Sequence, residues 1–292
     1  MSDPRVSVIM PFLDAAAHLA EAVESVIGQT FPDWELLLVD DGSIDGSSRI
    51  ARDLAAREPR IRLVPPDPDR RGAAAARNRG IAAARGDYVA FLDSDDLYAS
   101  GKLAHDAAAL DADGQAAWVY GATRWFHEGG GTRDHVERLG VRLDRRYSPP
   151  EILNRIILEE RGDIPCTCGV MIRRSALEAV GGFEERFALY EDQSLWVKLL
   201  LRYPVRVLSG CNALYRQHPA STSSAAASSG DYSQSAGHPA RDAFLAWVGD
   251  YAAANDAPPS VFRSLRRAKG ANDGRFWPRV ARAVRVLNRF LY

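Results

Sequence analysis

Three carboxylates lie within four positions directly after an apolar run. The run is Tyr88–Leu92, and Asp93, Asp95 and Asp96 follow it. Like charges this close repel one another, so a folded chain needs a reason to collect them. A bound divalent cation is one such reason, because hard ions such as Mg²⁺ or Mn²⁺ take carboxylate and phosphate oxygens as ligands. The stretch alone leaves a solvated, aspartate-rich turn as an equal alternative.

The elements that position these residues follow a strand–helix alternation. Val6–Met10, Trp34–Val39 and Tyr88–Leu92 are apolar runs typical of strands buried on both faces. Amphipathic or alanine-rich stretches between them predict helices, and Pro11 is predicted to end the first strand. The alternation predicts an α/β fold, with a mostly parallel, Rossmann-like sheet flanked by helices and a helical C-terminal appendage.

Three polar loops are predicted to line one crevice. In parallel sheets ligands bind outside the carboxyl ends of the strands, and Pro11–Asp14, Asp40–Ser43 and Asp93–Asp96 each follow such an end. The first strand is not followed by G-x-G-x-x-G, and no G-x-x-x-x-G-K-[ST] occurs, so neither a dinucleotide fingerprint nor a P-loop is predicted. The pattern instead favours a nucleotide site that uses a metal rather than a glycine cradle.

Composition sets the remaining bounds. The 292 residues carry a formal net charge of −1, which gives no argument for a nucleic-acid partner. Cys166, Cys168 and Cys211 lack metal-finger spacing and indicate reduced thiols in a cytoplasmic protein. No window of 18 apolar residues occurs. We therefore expect a soluble protein, or one that binds peripherally at the inner face of the membrane.

The chain is predicted to have three parts. Residues 1–219 form the α/β domain, with a nucleotide half over about 1–98 and an acceptor half over about 99–219. Residues 220–240, rich in Ser, Ala and Gly, are predicted to be a flexible loop or linker. Residues 241–292 form a basic helical segment.

That basic segment has two interpretations that the sequence does not separate. It either docks on anionic lipids or packs on the main domain as a helical cap. Whether the chain forms a homodimer is also left open.

Five segments, in this order, carry a family resemblance: VSVIMPF, SVIGQTFPDWELLLVDDGSIDGS, RGAAAARNRGIAAARGDYVAFLDSDD, GVMIRRSALEAVGGFEERFALYEDQSLWVKLL and YRQHPASTS. With them the chain resembles the family 2 glycosyltransferases, inverting enzymes with a GT-A fold. The resemblance implies transfer of a sugar from a nucleoside-diphosphate donor, with uridine as the expected base, to a hydroxyl of a glycan or lipid-linked acceptor. Cell-surface polysaccharide or lipopolysaccharide synthesis is the implied setting.

The resemblance also assigns the donor site. Asp41 would accept a hydrogen bond from the nucleobase, and Asp40 would support it or contact the ribose. Arg77 would face the nucleotide, although arginines on alanine-rich helices are often simply solvated. The other implied nucleotide-binding residues are Pro11, Phe12, Asp14, Asp93 and Ser94.

A divalent metal, Mn²⁺ or Mg²⁺, is implied as the cofactor. Asp95 would bind the ion that bridges the diphosphate, and Asp93 would contact the ribose or a metal-bound water. His218 would complete the metal or diphosphate site, with a structural role as the alternative. Asp96 is expected to cap the following helix.

The pair Glu191-Asp192 matches the acidic pair of the family on the acceptor side. Asp192 is predicted to be the general base that takes the acceptor proton, with a helix N-cap as the alternative. Glu191 and Trp196 are predicted to contact the acceptor or support the base.

The chain departs from the family pattern at one position and leaves two other functions to weigh. Leu13 stands where family members often have an aromatic residue that stacks on the base. No Q-x-x-R-W follows the acidic pair, so a single transfer is expected rather than processive synthesis.

A catalytically silent nucleotide-sugar-binding or scaffold protein is the alternative to an active glycosyltransferase. A nucleotidyltransferase would need a Gly-rich, basic signature after the first strand, where PFLDAAAH stands.

Overall fold

A computed structural model describes residues 3–128, 134–218 and 238–272. Its strands are β1 (Val6–Phe12), β2 (Trp34–Asp40), β3 (Ile61–Val64), β4 (Tyr88–Phe91), β5 (Leu97–Tyr98), β6 (Trp118–Tyr120), β7 (Thr123–His127), β8 (His135–Val136), β9 (Arg145–Tyr147), β10 (Val170–Arg173), β11 (Val205–Val207) and β12 (Ala213–Gln217). Its α-helices are α1 (Leu19–Ile27), α2 (Ser47–Arg57), α3 (Ala73–Ala83), α4 (Lys102–Ala112), α5 (Arg174–Val180), α6 (Glu191–Arg202), α7 (Pro239–Ala254) and α8 (Pro259–Asn272). A π-helix spans Leu153–Leu158.

The described strands form one large and one small sheet. The large sheet has the order β3-β2-β1-β4-β10-β6-β11-β9. Its first four strands are parallel, β10 is antiparallel to β4 and β6, and β11 runs parallel to β6. Mixed α/β architecture is therefore confirmed, with the parallel half at the N-terminal end of the chain.

Both faces of the large sheet are buried. Along β1, Ile9 packs into one apolar cluster, whereas Val8 and Met10 pack into the cluster on the other face. Since neither face meets water, the strand needs apolar residues at successive positions. This is why the continuous runs in the sequence located the parallel strands correctly.

The sequence predicted that the first strand ends at Pro11, and this prediction is wrong. It continues to Phe12, with Pro11 opposite Val39 of β2. On its other side β1 pairs with β4 only as far as Ile9. Proline is tolerated at position 11 because, on the side that faces β4, the strand no longer makes ladder hydrogen bonds there.

The small sheet, in the order β5-β12-β7-β8, was not anticipated. The chain passes from β6 to β7, which lie in different sheets, within a few residues. Gly121 lies at the break, where a Cβ atom would stand 2.4 Å from the carbonyl oxygen of Gly210. The close approach of two backbones turns the chain from one sheet to the other.

The C-terminal helices pack on the main domain. Phe244, Trp247 and Val261 belong to the same apolar cluster as residues of the large sheet. Helix α7 begins at Pro239, two residues before the predicted boundary. Residues 220–237 of the expected linker and residues 273–292 of the basic segment lie outside the described residues. In the ranges that are described, no helix is both long and apolar enough to cross a membrane.

Candidate active site

The three polar loops meet at the carboxyl ends of β1, β2 and β4, as the topology predicts. The first two are joined directly. The amide of Asp14 donates to Ser43 Oγ at 3.1 Å, and Asp14 Oδ1 accepts from the amide of Ile44 at 2.8 Å. Asp14, predicted to bind nucleotide, thus links two loops in this structure. The third loop carries the aspartates that follow β4.

Asp41 lies at the base of the crevice, held from the side of α3. Its Oδ2 accepts from the amide of Gly72 at 2.8 Å, and its Oδ1 accepts from Arg79 at 3.2 Å. Gly72 has a φ of +97°, which glycine adopts without a steric penalty. Arg71 covers the same loop and donates to the Asp41 carbonyl oxygen. The carboxylate is therefore buried and fixed in orientation.

Asp40 shapes the loop that carries Asp41. Its Oδ1 accepts from the amides of Gly42 and Ser43, each at 2.9 Å, and its Oδ2 accepts from Ser48 Oγ. Burial acts to raise the pKa of Asp40, but these hydrogen bonds outweigh it and hold the pKa below its ordinary value. An ionised Asp40 supports its neighbour, in line with the first of its two predicted roles.

Two of the predicted nucleotide contacts point into the core. The side chain of Phe12 is 3% exposed and packs in an apolar cluster, and Pro11 is buried beside it. In this conformation their side chains do not reach the crevice, and a contact of these two residues with a nucleotide stays a prediction. Leu13 is exposed, and Ser94 is half-buried between the aspartates.

Asp95 and His218 are brought together from 123 positions apart. The Oδ2 of Asp95 lies 2.9 Å from Nε2 of His218, which follows β12 directly. Arg216 fixes this arrangement, since its Nε donates to the Asp95 carbonyl oxygen at 2.7 Å and its guanidinium also pairs with Glu21 and Glu128. The small sheet thus delivers the histidine to the aspartate.

A divalent cation fits this donor pair. A carboxylate oxygen and an imidazole nitrogen that face each other are donors that Mn²⁺ accepts, and substrate phosphates commonly supply further oxygens. Within the described ranges, no three His, Cys, Asp or Glu side chains are arranged to hold a metal by themselves. Asp93, the other predicted ligand, is bound instead by Arg77 and by Thr167 Oγ1 at 3.3 Å.

Asp96 is not a helix cap. The following helix begins at Lys102, with Gly101 at its N-cap. The side chain of Asp96 is 0% exposed, and its Oδ1 accepts from the amide of Arg216 at 2.9 Å. Burial, followed by the neighbouring acidic groups, raises the pKa of Asp96 well above its ordinary value. Asp96 is therefore a buried carboxyl behind the crevice, held by the backbone of Arg216.

Arg77 is neither solvated nor turned toward an open nucleotide space. Its side chain is 4% exposed and donates to Asp93 at 2.7 Å and to Glu191 at 3.1 Å. Burial acts to lower the pKa of Arg77, but the two carboxylates outweigh it and raise the pKa. The prediction is corrected: Arg77 ties the loop after β4 to the acidic pair on α6.

Asp192 lies in the first turn of α6, whose N-cap position belongs to Tyr190. The N-cap alternative is thus wrong, although Oδ1 of Asp192 accepts from the amide of Gln193 at 2.6 Å. Burial, and then the charge of Glu191, raises the pKa of Asp192 to about 7. A carboxylate with this pKa is suited to accept a proton near neutral pH.

Trp196 supports the site from within the core. It is 0% exposed, stacks on Trp118 at 5.3 Å and donates from Nε1 to the carbonyl oxygen of Pro165. Contact with an acceptor is excluded in this conformation, which corrects that half of the prediction. Lys198, also buried, ties α6 to the preceding loop through the Gly182 carbonyl oxygen at 3.0 Å.

Three residues that contact the site were missed. Thr167 and Arg216 hold the aspartates after β4, and Tyr190 precedes the acidic pair with a φ of +73°. Arg216 could have been found from its place two residues before His218. Nothing in the sequence marked the other two, since their roles depend on tertiary contacts.

The fold defines a GT-A architecture, and solved structures agree. S. aureus TarS 1–349 in complex with UDP-GlcNAc superposes with a TM-score of 0.61 at 23% identity, over 73% of this chain and 59% of that chain. The mannosyltransferase PcManGT from Pyrobaculum calidifontis, in complex with GDP-Man and Mn²⁺, has a TM-score of 0.55 at 20% identity, over 100% of this chain and 81% of the other. The GT-A fold is confirmed.

The chain belongs to glycosyl transferase family 2, whose family model matches residues 7–181. The O-antigen biosynthesis protein RfbC of Myxococcus xanthus is 30% identical over 273 residues, which are 91% of this chain and 20% of RfbC. Across the leading curated relatives the chain spans between 20% and 67% of their own length. The predicted family is confirmed.

Proposed function

We propose that the protein is an inverting glycosyltransferase that moves a sugar from a nucleoside-diphosphate donor to an acceptor hydroxyl. One observation carries the proposal: Arg79 of α3 binds Asp41, and Arg77 of the same helix ties the loop that carries Asp95, the partner of His218, to the start of α6, where Asp192 has a pKa near 7. Such a set provides a nucleotide contact, a diphosphate site and a base.

The donor is proposed to lie along the carboxyl ends of β1, β2 and β4. Asp41 would accept from the nucleobase, since its carboxylate is fixed in orientation by Gly72 and Arg79. A uridine diphosphate sugar is the proposed donor. The UDP-GlcNAc complex of TarS, on the same fold, supports this choice.

Asp95 and His218 would hold a divalent metal against the diphosphate. The Mn²⁺ in the PcManGT complex supports a metal in this fold. When bound, the ion would neutralise charge that develops on the departing diphosphate. Arg216 keeps both ligands in place from the small sheet.

The transfer step itself needs one base. The carboxylate of Asp192 would take the proton of the acceptor hydroxyl as its oxygen bonds to the anomeric carbon. The bond from that carbon to the diphosphate oxygen breaks on the opposite face, and the nucleoside diphosphate leaves with the electron pair. Glu191, which pairs with Arg77 at 3.1 Å, would support the base because its charge raises the pKa of Asp192.

The acceptor is proposed to be a glycan or lipid-linked glycan of the cell surface. RfbC, an O-antigen biosynthesis protein, supports this class, since its alignment with the present chain covers 91% of that chain. Screening of sugar donors and glycan acceptors would identify the sugar, its linkage and the acceptor.

The first test is release of nucleoside diphosphate from a panel of sugar donors with Mn²⁺ and a glycan acceptor mixture. Replacing the base, Asp192→Asn, should lower kcat by about 10²–10⁴, because that is the contribution of a general base. Nucleotide affinity, measured by calorimetry, should stay within about twofold, since Asp192 does not touch the nucleotide in this proposal.

Asp53→Asn, at an exposed position of α2, is the matched control and should leave kcat unchanged. Equal loss of nucleotide binding in Asp192→Asn would remove Asp192 from the role of base. If the wild-type protein binds nucleotide but releases none, the silent binding or scaffold protein becomes the better description.

Peripheral membrane contact through the basic C-terminal segment is a second part of the proposal. Helix α8 buries Val261 and Leu265 against the domain and exposes Arg263, Arg266 and Lys269 on its outer side. Both interpretations of the segment can therefore hold for one helix. Anionic lipids attract such residues by about 1 kcal/mol for each charge near the surface.

Vesicle co-sedimentation tests this contact. Reversing the three outer charges of α8 to glutamate should weaken binding to phosphatidylserine vesicles by at least about 100-fold, given about 1 kcal/mol per charge. Reversing Arg49, Arg52 and Arg57, which are exposed on α2, is the control and should change little. Equal binding to neutral vesicles, or equal loss in both variants, would contradict the proposal.

A further inference from the structure

Tyr190, the residue before the acidic pair, has an unusual backbone. Its φ of +73° and ψ of 12° lie in the left-handed region, which a bulky aromatic residue rarely adopts. Such conformations cost of order 1–3 kcal/mol and persist where the surroundings over-determine them. A glycine would adopt the same angles freely, so the aromatic side chain itself must be required here.

The surroundings that hold Tyr190 come from the C-terminal segment. Its hydroxyl lies 3.0 Å from Nε2 of His238, the N-cap residue of α7. Its ring stacks on Phe244 of the same helix, with centroids 4.9 Å apart and an interplanar angle of 14°. All three side chains are buried, and 48 positions separate Tyr190 from His238.

The contact extends into a larger aromatic wall. Phe187 meets Phe244 and Trp247 edge-on, with ring centroids 6.1 and 5.6 Å apart. Phe187 and Tyr190, at the two ends of the segment 187–190 that leads into Glu191-Asp192, are therefore both packed against α7. This wall lies beyond residues 7–181, the part matched by the family model.

Tyr190 also sets how α6 begins. Its carbonyl oxygen accepts from the amide of Ser194 at 2.9 Å, which closes the first turn of the helix. Asp192 lies within that turn. If Tyr190 relaxed to an extended conformation, the turn would reorient and the carboxylate of Asp192 would move with it.

We propose that Tyr190, His238 and Phe244 form a positioning unit through which the C-terminal helix α7 aims the carboxylate of Asp192. The proposal rests on the proposed function for the meaning of that carboxylate, but the geometry of the unit is independent of it. Simple burial of apolar rings explains neither the buried Tyr–His hydrogen bond nor the left-handed Tyr190. A positioning role explains both.

A double-mutant cycle in the full-length chain tests the hydrogen bond. Tyr190→Phe and His238→Phe each remove it and keep an aromatic ring. Each should lower kcat about tenfold, the size expected for one buried hydrogen bond, with the donor KM and the nucleotide affinity within twofold. The double variant should be no worse than either single variant, since both remove the same bond.

Ser264→Ala is the matched control. Ser264 Oγ donates to Glu159 at 2.8 Å, so this variant also breaks a buried hydrogen bond between the C-terminal helices and the domain, away from Tyr190. It should lower the melting temperature by a similar amount and leave kcat unchanged. Phe244→Leu, which removes the stacked ring, should lower kcat further than either bond variant.

A readout without catalysis separates the two proposals. Titration of ¹³C-carboxyl-labelled aspartate, with the Asp192 signal assigned by its loss in Asp192→Asn, should give a midpoint near 7 in the wild type. Tyr190→Phe and Phe244→Leu should let water reach Asp192 and so lower that midpoint by at least about half a unit. The charged groups that face Asp192, which are Glu191, Arg77 and Asp93, are the same in both variants and therefore do not cause the shift. Ser264→Ala should not shift it.

The outcomes are distinct. If the wild type releases no nucleoside diphosphate from any donor while the Asp192 midpoint responds as expected, the proposed function is wrong and the positioning unit stands. If kcat and the Asp192 midpoint are the same in Tyr190→Phe, His238→Phe and the wild type, the positioning unit is wrong. Equal effects in Ser264→Ala would also overturn it, since they would show general destabilisation.

Discussion

At the scale of the residue, burial gives two acidic groups of the crevice different roles. Asp96 is fully enclosed, its Oδ1 accepts from the amide of Arg216, and burial raises its pKa well above the ordinary value. The pKa of Asp192 is raised to about 7, which leaves it able to exchange a proton at physiological pH. The contact with the Arg216 backbone makes Asp96 a scaffold group, whereas Asp192 is the candidate base.

The pKa of Asp192 predicts the pH dependence of the reaction. The base must be ionised, and its pKa lies near 7, so kcat/KM should rise about tenfold per pH unit below that value and level off above it. Initial rates between pH 5 and 9 measure this rise of kcat/KM with pH. The residual activity of Asp192→Asn should not show the rise. A flat wild-type profile across pH 5.5–8 would count against Asp192 as the base.

Residue types in the sequence located the acidic groups but not their partners. Asp41, Asp95 and Asp192 could be selected because each follows or begins a recognisable element. Phe12 was named as a nucleotide contact by the family resemblance alone, and its side chain packs in the core. Whether Asp96 caps a helix or is enclosed depends on β12, which lies 120 positions away.

At the scale of the element, Arg77 joins three of them. It projects from α3, binds Asp93 after β4 and binds Glu191 at the start of α6. The donor loop and the acceptor-side helix therefore share one buried cation. Arginine suits the position because its planar fork can serve two carboxylates at once, which an ammonium does less well.

Removing that cation should be costly. Arg77→Gln leaves two carboxylates without their partner in a largely enclosed place, and we expect a loss of about 3 kcal/mol in the free energy of unfolding. Urea titration measures it. Arg49→Gln removes an exposed ion pair with Asp53 and should change stability by less than about 0.5 kcal/mol. A loss of the same small size in Arg77→Gln would show that Arg77 is not an internal tie.

Elements with a strong periodic pattern were predictable, and those made by long-range pairing were not. The strands of the parallel half and most helices follow from apolar runs and helical spacing. The small sheet depends on pairing β12 with β5 and β7, across about ninety or more positions, and its strands are only two to five residues long. Segments this short carry too little pattern to be recognised alone.

At the scale of the whole molecule, the crevice joins both halves of the chain, so a ligand there should stabilise the fold as a unit. A nucleoside diphosphate with Mn²⁺ at a hundredfold excess over its dissociation constant should add about 2.7 kcal/mol. Thermal denaturation with UDP or GDP, with and without Mn²⁺, measures this. Asp95→Ala should abolish the Mn²⁺-dependent part, and Asp53→Asn should retain it; no shift with either nucleotide would argue against a donor site.

The α/β architecture could be predicted from the sequence, but the packing of the C-terminal helices into the core of the main domain could not. A family resemblance that ends with the segment YRQHPASTS makes the later helices look like an addition. The structure shows α7 and α8 sharing the apolar cluster of the large sheet. Shared burial of this kind is invisible until the partner surfaces are known.

The placement of the lysines has a practical consequence. The chain has three, and Lys102 and Lys198 are both enclosed in ion pairs, with Asp106 and Glu184. Lys269, exposed on the outer side of α8, is the lysine that an amine-selective reagent can reach. A fluorophore or surface linker would therefore attach at a position away from the crevice and beside the proposed lipid-facing charges. Among the lysine side chains, ordinary amine chemistry therefore reaches one defined point.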